Sequence, residues 1–166
     1  MTAVTATPAD LLRQTLRRHA AGVTVLTVPG PAGFTATSFT SVSLEPALVS
    51  FYLSSTASTA EAVRAAGIFA VHVLSEEQAG LARRFATSGT DRFAGTRWTA
   101  GPDGVPLLDD VPAWLTARPV LRQAVGDHLL VVGEVLDAGG AGDSLPLLHH
   151  SGGFGGYRPL HPGPGE

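Results

Sequence analysis

The sequence contains no cysteine and no lysine in 166 residues, because all eleven of its basic residues are arginine. Without cysteine there can be no disulfide, zinc ribbon, iron-sulfur cluster or thiol nucleophile. Without lysine there can be no Walker phosphate loop, Schiff-base enzyme or protein kinase, since each requires a lysine amine. Several large enzyme classes are therefore excluded before any motif is considered.

The chain also lacks long hydrophobic runs and clustered basic charge. Its longest apolar runs, 129–132 and 47–53, are far shorter than the roughly 20 residues that span a bilayer. Residues 1–8 show no basic segment followed by an apolar stretch, so we expect no secretory signal, no membrane association and a cytoplasmic location. The net charge is −3 and the arginines are scattered, which argues against nucleic-acid binding.

What the chain has instead is the composition of a globular protein. Hydrophobic residues make up 44% of it, charged residues 15%, and the mean hydropathy is +0.20. This balance is too apolar for disorder. We expect a single domain over residues 1–166, with an ordered core over about 10–158 and a flexible Pro/Gly tail at 159–166.

Hydrophobic periodicity and turn residues predict a mainly β chain with inserted helices. Helices are expected over 8–20, ended by Gly22, and after two capping-box patterns, Ser58 to Glu61 and Ser75 to Gln78. Strands are expected at 23–28, 33–44, 48–53, 68–74, 114–124, 128–138 and 145–149. The 86–110 segment shows no clear period and is interpreted as a long irregular excursion with a mobile tip. The pattern indicates an antiparallel barrel with attached helices.

Two clusters of hydroxyl residues are candidate ligand contacts. The strand over 35–43 alternates small side chains with hydroxyls, which leaves room for a flat ligand and offers it donors; it could equally be a half-exposed strand. The cluster at 54–59 precedes a predicted helix, where free amides and the helix dipole favour a phosphate, although simple capping explains part of it. Arg83 and Arg84 could supply the counter-charge, or could be an ordinary surface pair.

For the histidines, the position of each in a predicted strand or turn indicates whether it contacts a ligand or belongs to the core. His128 follows Gly126 and Asp127 in a predicted turn between two strands, where it would project at the rim of a barrel as a ligand contact or face solvent. His72 lies among valines, which favours a hydrogen-bonded core or interface residue. The neighbouring pair at 149–150 would point to opposite faces of a strand and could not jointly bind a metal. No G-x-G-x-x-G dinucleotide fingerprint occurs.

Taken together and in order, six fragments resemble the flavin reductase-like family of short NAD(P)H:flavin oxidoreductases. The fragments are AGVTVLT (21–27), GFTATSFTSVSLEP (33–46), FAVHVL (69–74), ARRFA (82–86), DRFAG (91–95) and GDH (126–128). The resemblance covers residues 12–157. It implies a homodimeric, FMN-binding split β-barrel that binds FAD or FMN without a covalent bond and takes hydride from NADH or NADPH. Reduced flavin would then pass to a partner monooxygenase.

The resemblance also implies roles for individual residues. His128, in the GDH motif, would lie beside the nicotinamide as the catalytic contact. The cofactor-binding residues would be Thr35, Ala36, Thr37, Ser38, Phe39, Ser41, Val42, Ser54, Ser55, Thr56, Ser58, Thr59, Arg83, Arg84, Phe85, Gly126, Asp127, His128 and Tyr157. The 35–41 segment would follow the flavin ring and ribityl chain, while 54–59 and the 83–85 region would hold the phosphate side. No metal is expected.

Some positions depart from the family pattern. Thr37 and His72 stand where many members have asparagine, and Glu45-Pro46-Ala47 replaces an acidic residue followed by two prolines. These changes bear on flavin preference and affinity more than on the fold. Two alternatives stay open at this point: a flavin-binding split-barrel module without NADH turnover, and a split-barrel oxidase that retains its FMN. The lack of lysine and the few arginines disfavour the oxidase, which would grip a second phosphate.

Overall fold

The computed structural model describes residues 6–140 and 142–160, and their secondary structure is mainly β, as predicted. Three α-helices are present: α1 (Pro8–Leu16), α2 (Ala60–Ala65) and α3 (Ala79–Ala86). The strands are β1 (Ala21–Gly22), β2 (Thr24–Val28), β3 (Ala32–Ala36), β4 (Thr40–Leu44), β5 (Ala47–Ser54), β6 (Phe69–Val73), β7 (Trp98–Ala100), β8 (Pro106–Leu108), β9 (Ala113–Val125), β10 (His128–Gly139), β11 (Leu148–His150) and β12 (Gly153–Gly155).

Seven strands form one antiparallel sheet in the order β3-β2-β6-β9-β10-β5-β4. In a flat sheet β3 and β5 would lie five inter-strand spacings apart, or roughly 24 Å. Instead the ring centroids of Phe34 on β3 and Phe51 on β5 are 5.8 Å apart. The sheet is therefore strongly curled, with its concave side around a core that these two rings share with Phe69.

The middle of the sheet is buried on both faces. All five residues of β2 are buried, because one face packs into the core inside the curl and the other into a second core beneath α3. Phe85 of α3 is fully buried in this second core. A strand buried on both sides has a continuous apolar and β-branched sequence, as 23–28 has.

Two small sheets complete the fold. One has the order β1-β11-β12 and joins the start of the chain to its end; the other is the β7-β8 hairpin. Among residues 6–140 and 142–160, no helix is both long enough and apolar enough to cross a bilayer. The predicted tail lies outside the described residues from 161 onward, and residues 159–160 belong to no helix or strand.

Several predicted element bounds were wrong. The first helix ends at Leu16, and Gly22 belongs to a strand paired with Leu148 rather than to a helix stop. The predicted strand over 33–44 is two strands, because the ladder with β2 ends at Ala36 and pairing with β5 begins only at Thr40. Instead of one strand over 145–149, the chain forms the β11-β12 hairpin.

The two predicted capping boxes have different outcomes. The Ser58 pattern was wrong, because α2 is capped at Thr59, whose side chain makes no cap hydrogen bond. At Ser75 the box is confirmed, since the Ser75 amide donates to the Gln78 Oε1 atom at 2.9 Å, and a 3-10 turn leads from there into α3. The 86–110 segment, expected to be irregular, contains the whole of β7 and β8.

Candidate functional site

Two cavities lie next to each other along β3. The first, which we call the His128 cavity, has a volume of about 250 Å³ and is lined by residues 34–38, 52–54 and His128. The second, the Arg92 cavity, has a volume of about 350 Å³ and is lined by residues 31–33, 58–59 and 89–93. Both clusters of hydroxyl residues singled out in the sequence therefore contribute to cavities, and one strand connects the two.

The loop between β3 and β4 forms one wall of the His128 cavity. The Ser38 hydroxyl donates to the Tyr52 carbonyl at 3.1 Å and accepts from the Tyr52 amide at 3.0 Å, which ties the loop to β5. Thr35 likewise donates its hydroxyl to the Ala82 carbonyl of α3 at 2.6 Å. These two hydroxyls hold the wall in place, whereas the backbone amides of residues 37–39 lie outside both strand ladders.

His128 reaches the cavity from the β9-β10 turn. Gly126 takes a φ of +58° as the first turn residue, a conformation that glycine adopts without strain. The turn is fixed to β5 because the Ser55 amide donates to the Asp127 carbonyl at 2.9 Å. The predicted hairpin is therefore confirmed, and it brings His128 opposite Ser54 across the ladder.

Asp127 orients the His128 ring. The Asp127 Oδ1 atom lies 2.6 Å from His128 Nδ1. Its hydrogen bond and charge interaction with His128 lower the pKa of the Asp127 carboxyl, which stays ionised and can only accept. The Nδ1 atom must therefore carry the proton, and Nε2 is left for a ligand.

Of the 54–59 segment, Ser54 lines the His128 cavity and Ser58 and Thr59 line the Arg92 cavity, whereas Ser55 and Thr56 line neither. The hydroxyls of Ser54 and Thr56 are 3.1 Å apart, and the Thr56 amide donates to Ser54 Oγ at 3.4 Å. Thr59 is only 8% exposed, and among the described residues its Oγ1 atom has no hydrogen-bond partner.

Arg92 is the cation beside this segment, and the sequence interpretation did not single it out. Its Nη2 atom donates to Ser58 Oγ at 3.4 Å, Nη1 to the Gly33 carbonyl at 2.7 Å and Nε to the Thr87 carbonyl at 2.9 Å. Arg92 lies in the 86–110 segment, which has no periodic pattern to assign it a face. Arg92 lies in the DRFAG fragment (91–95), which contributes to the family resemblance, but the resemblance assigned no role to this arginine.

Arg83 and Arg84, expected on the phosphate side, have other partners. The Arg84 Nη1 atom donates to the Ala94 carbonyl at 3.1 Å and to Thr96 Oγ1 at 2.9 Å. The Arg83 guanidinium stacks over the Phe154 ring, 5.4 Å from its centroid. Among the described residues that line the His128 and Arg92 cavities, neither arginine is found.

Other predicted contacts also lie away from the cavities. Phe85 is buried and packs edge-on against Phe93, with centroids 5.1 Å apart, so its ring belongs to the core. Ser41 and Val42 are on β4 at the exposed edge of the sheet, and Tyr157 follows β12 with about half of its surface exposed. Neither cavity includes these four residues or Phe39, which packs at the margin of the main core.

His72 is a buried, hydrogen-bonded core residue, as predicted. Its Nδ1 atom lies 3.0 Å from the Val25 carbonyl, and its Nε2 atom accepts from the Leu108 amide at 3.0 Å. Burial lowers the pKa of His72 to about 4, so the ring is neutral near pH 7. It connects β8, at the end of the 86–110 segment, to β2 and takes no part in either cavity.

The paired cavities suit a flavin nucleotide. Ala36 is small, which leaves space for a flat ring, and the amides of residues 37–38 offer donors to the polar edge of that ring. Thr59, with its buried unpartnered hydroxyl, and Arg92 are groups that suit a phosphate. The residues present thus fit both the planar and the anionic part of such a ligand.

Comparison with known proteins supports the same interpretation. Residues 16–158 match the family described as Flavin reductase like domain. The NADH:FMN oxidoreductase of Rhodococcus qingshengii is 46% identical over 155 residues, which cover 89% of this chain and 80% of the relative. The reductase subunit of a flavin-dependent monooxygenase from Rhodococcus jostii is 35% identical over 150 residues, covering 89% and 77% of the two chains.

A solved structure extends the likeness to the fold. The NADH:FAD oxidoreductase of Streptomyces globisporus C-1027, crystallised with NAD and FAD fragments, is similar with a TM-score of 0.87 at 36% identity. The match covers 95% of this chain and 99% of the other.

Proposed function

This chain belongs to the flavin reductase-like family, and from that premise we infer that it transfers hydride from NADH to FAD or FMN and supplies reduced flavin to a partner monooxygenase. One observation supports placing this reaction at the His128 cavity. Segments from β3, β5 and the β9-β10 turn, distant in sequence, meet at the His128 cavity. This cavity joins a histidine of fixed orientation to the predicted flavin-binding loop.

A bound flavin supplies the ring that accepts the hydride. The chain contributes positioning, because two planar rings must be held face to face for the transfer. We place the flavin ring against the 35–38 wall, where backbone amides stabilise negative charge at its polar edge. The Ser38 and Thr35 hydroxyls position this wall rather than contact the ligand, since both are already hydrogen-bonded within the protein.

His128 is placed to contact the nicotinamide. With Nδ1 held by Asp127, Nε2 is the nitrogen that faces a ligand. The ring therefore orients the donor, and no proton transfer at His128 is required for a hydride step. Ser54 borders the same cavity from β5, and Ser58 and Thr59 line the Arg92 cavity, where we place the phosphate.

Steady-state NADH oxidation, followed by the loss of NADH absorbance with added FAD, with FMN or with no flavin, tests the function. We expect a rate that rises and saturates with a free flavin, because the reduced product must leave to reach an oxygenase. A protein that binds flavin but oxidises no NADH would instead be a flavin-binding module. A rate independent of added flavin would indicate an enzyme that retains its cofactor.

We further propose that the curled sheet is a split β-barrel and that two copies pair through its outer face. Cross-strand partners place Tyr52, Leu130, Val132 and Leu121 together on the convex side, with Val125 opposite His128 at the edge of the site. Tyr52, Leu121 and Val125 are each more than 40% exposed. An apolar face that is continuous with the ligand cavity is suited to a second copy.

Light scattering of Leu121→Arg tests the dimer, with Val120→Arg as the matched control. Val120 is also exposed, but it lies at the irregularity between the Leu121 and Pro119 pairs and has no cross-strand partner, so it is not one of the paired residues that form this face. We expect a dimer in the wild type and in the control, and a monomer in Leu121→Arg. A monomeric wild type would contradict this interface. A Leu121→Arg variant that remains dimeric would contradict it as well.

A further inference from the structure

A third cavity, which we call the Arg83 cavity, lies between the start of α3 and the β11-β12 hairpin. It has a volume of about 420 Å³, and its lining includes Arg83, Phe154 and two neighbouring carboxylates, Glu76 and Glu77. The Arg83 guanidinium lies over the Phe154 ring, 5.4 Å from its centroid. The cavity therefore combines a flat stacking surface with hydrogen-bond acceptors.

The charged side chains of this cavity are not neutralised by one another. Within residues 6–140 and 142–160, no ion pair involves Glu76, Glu77 or Arg83. The Glu76 carboxylate lies against Gly156, where a Cβ atom would collide with Oε2, so the glycine leaves room for it. Because two carboxylates line the cavity with one guanidinium, the lining carries a net negative charge.

The Arg83 cavity lies close to the His128 cavity. Thr35 lines the His128 cavity and donates its hydroxyl to the Ala82 carbonyl at 2.6 Å, and Arg83 is the next residue of α3. Consecutive Cα atoms are only about 3.8 Å apart, so one hydrogen bond and one peptide unit connect the two linings. A nicotinamide nucleotide with its nicotinamide beside His128 can therefore extend its adenosine end to the Arg83 cavity.

Adenosine matches the groups that this cavity offers. Its base is planar, and both aromatic rings and guanidinium groups stack on planar rings. Its ribose carries adjacent hydroxyl donors, and in dinucleotide-binding sites an acidic side chain accepts from the ribose 2′-hydroxyl of NAD. NADPH carries a phosphate on that 2′-oxygen, and in this cavity the phosphate would face Glu76 and Glu77.

We propose that the Arg83 cavity binds the adenosine end of the nicotinamide nucleotide and that Glu76 and Glu77 make the enzyme select NADH over NADPH. The proposal rests on the flavin reductase function inferred above and adds its choice of hydride donor. The carboxylates accept hydrogen bonds from the ribose of NADH and repel the 2′-phosphate of NADPH. Arg83 does not offset this repulsion, because it is one cation against two carboxylates and is stacked on Phe154.

Steady-state kinetics with FMN as the acceptor test the proposal, because FMN has no adenosine and the nicotinamide nucleotide is then its only source. For the wild type we expect kcat/KM to be at least about tenfold higher with NADH than with NADPH. In the double variant Glu76→Gln, Glu77→Gln this ratio should fall about tenfold, because the like-charge repulsion is removed, while the KM for FMN stays within about twofold.

The double variant Glu61→Gln, Glu134→Gln is the matched control. It removes the same two charges, at positions that do not line the His128, Arg92 or Arg83 cavity. We expect it to keep the wild-type preference for NADH. An unchanged preference in Glu76→Gln, Glu77→Gln, or an equal change in the control, overturns the proposal. Equal kcat/KM values for the two donors in the wild type overturn it as well.

The AMP half of FAD carries the same adenosine, so a comparison of FAD with FMN distinguishes the two sources. At saturating NADH, Glu76→Gln, Glu77→Gln should keep the wild-type ratio of KM values for FAD and FMN. A change of that ratio with an unchanged preference for NADH assigns the cavity to the flavin and overturns the proposal.

Inhibition of the wild type makes the test independent of folding. At saturating FMN, 5′-AMP should compete with NADH, and adenosine 2′,5′-bisphosphate should inhibit at least about tenfold more weakly. Equal inhibition by the two nucleotides contradicts the proposal. A protein that oxidises neither NADH nor NADPH with any flavin refutes the flavin reductase function, whereas one that oxidises both equally well refutes only the selection by Glu76 and Glu77.

Discussion

The β9-β10 hairpin and the 86–110 segment are held in place by different kinds of interaction. In the hairpin, backbone pairs run from Val125 opposite His128 to Trp114 opposite Gly139, interrupted only by two irregularities. In the 86–110 segment the short β7-β8 ladder is supplemented by side chains that bond to distant backbone groups, among them His72, Thr27, Arg84 and Arg92. In a ladder many backbone hydrogen bonds share the stabilisation of two strands, so no single side chain is essential. Each side-chain anchor, in contrast, is one contact whose loss is not compensated by its neighbours.

This difference bears on function, because each region brings one key group to the site. The hairpin turn positions His128, and the 86–110 segment positions Arg92. We therefore expect substitutions to separate the regions: single anchors should matter greatly in the segment, while side chains along the hairpin should matter little unless they contact a ligand.

The largest effect is expected for His72→Leu. The substitution removes both ring hydrogen bonds and leaves the Leu108 amide buried without a partner. We expect the free energy of unfolding to fall by about 3 kcal/mol. Urea denaturation measures the loss, and limited proteolysis should show cleavage within 86–110 before any in the hairpin. Cleavage in both regions at one rate would mean that the anchor does not hold the segment separately.

The same histidine makes stability depend on pH. Its pKa is lowered from 6.5 to about 4 in the folded protein, so the unfolded chain binds a proton over a range where the folded chain does not. The contribution of His72 to the free energy of unfolding is therefore fully present above pH 6.5. It is lost as the pH falls toward 4, at about 1.4 kcal/mol per pH unit within that window. At about pH 5 we expect a loss of about 2 kcal/mol.

Denaturation curves of wild type and His72→Asn at several pH values isolate this term. Asparagine offers a donor and an acceptor but does not titrate, so the variant should lack this part of the pH dependence even if it is less stable throughout. Parallel curves for the two proteins would show that other groups cause the acid sensitivity.

These two regions also show what the sequence could predict. The hairpin was predicted nearly to the residue, because alternating apolar residues and a Gly-Asp turn are local signals. His128 was found for the same reason. Arg92 was missed, since its role depends on Gly33 and Ser58, which are 59 and 34 residues away along the chain. Arg83 and Arg84, which lie on a recognisable helix, were predicted on the phosphate side from their charge and from the family resemblance, but helix periodicity does not reveal which partner a long side chain reaches.

A smaller, purely kinetic effect is expected at the hairpin turn. His128→Ala removes the ring that Asp127 orients and should raise the KM for NADH about tenfold, the equivalent of one hydrogen bond of about 1.4 kcal/mol. Flavin binding, measured by fluorescence quenching, should change much less, because the 35–38 wall is intact. Asp127→Asn serves as the comparison, since it keeps the ring but weakens its orientation. An equal loss of flavin and NADH binding in His128→Ala would contradict the assignment of this residue to the nicotinamide.

The smallest effect should come from the ion pair that crosses the hairpin. Arg118 Nη2 and Glu134 Oε2 are 2.6 Å apart, with side chains 60% and 37% exposed. Solvent screening limits exposed pairs of this kind, so a double-mutant cycle with Arg118→Ala and Glu134→Ala should give a coupling of about 0.5 kcal/mol. A shorter contact than either His72 hydrogen bond would then contribute far less to stability, because the ladder already fixes β9 and β10. A coupling above about 2 kcal/mol would mean that side chains hold the hairpin as they hold the 86–110 segment, and the contrast between the two regions would be lost.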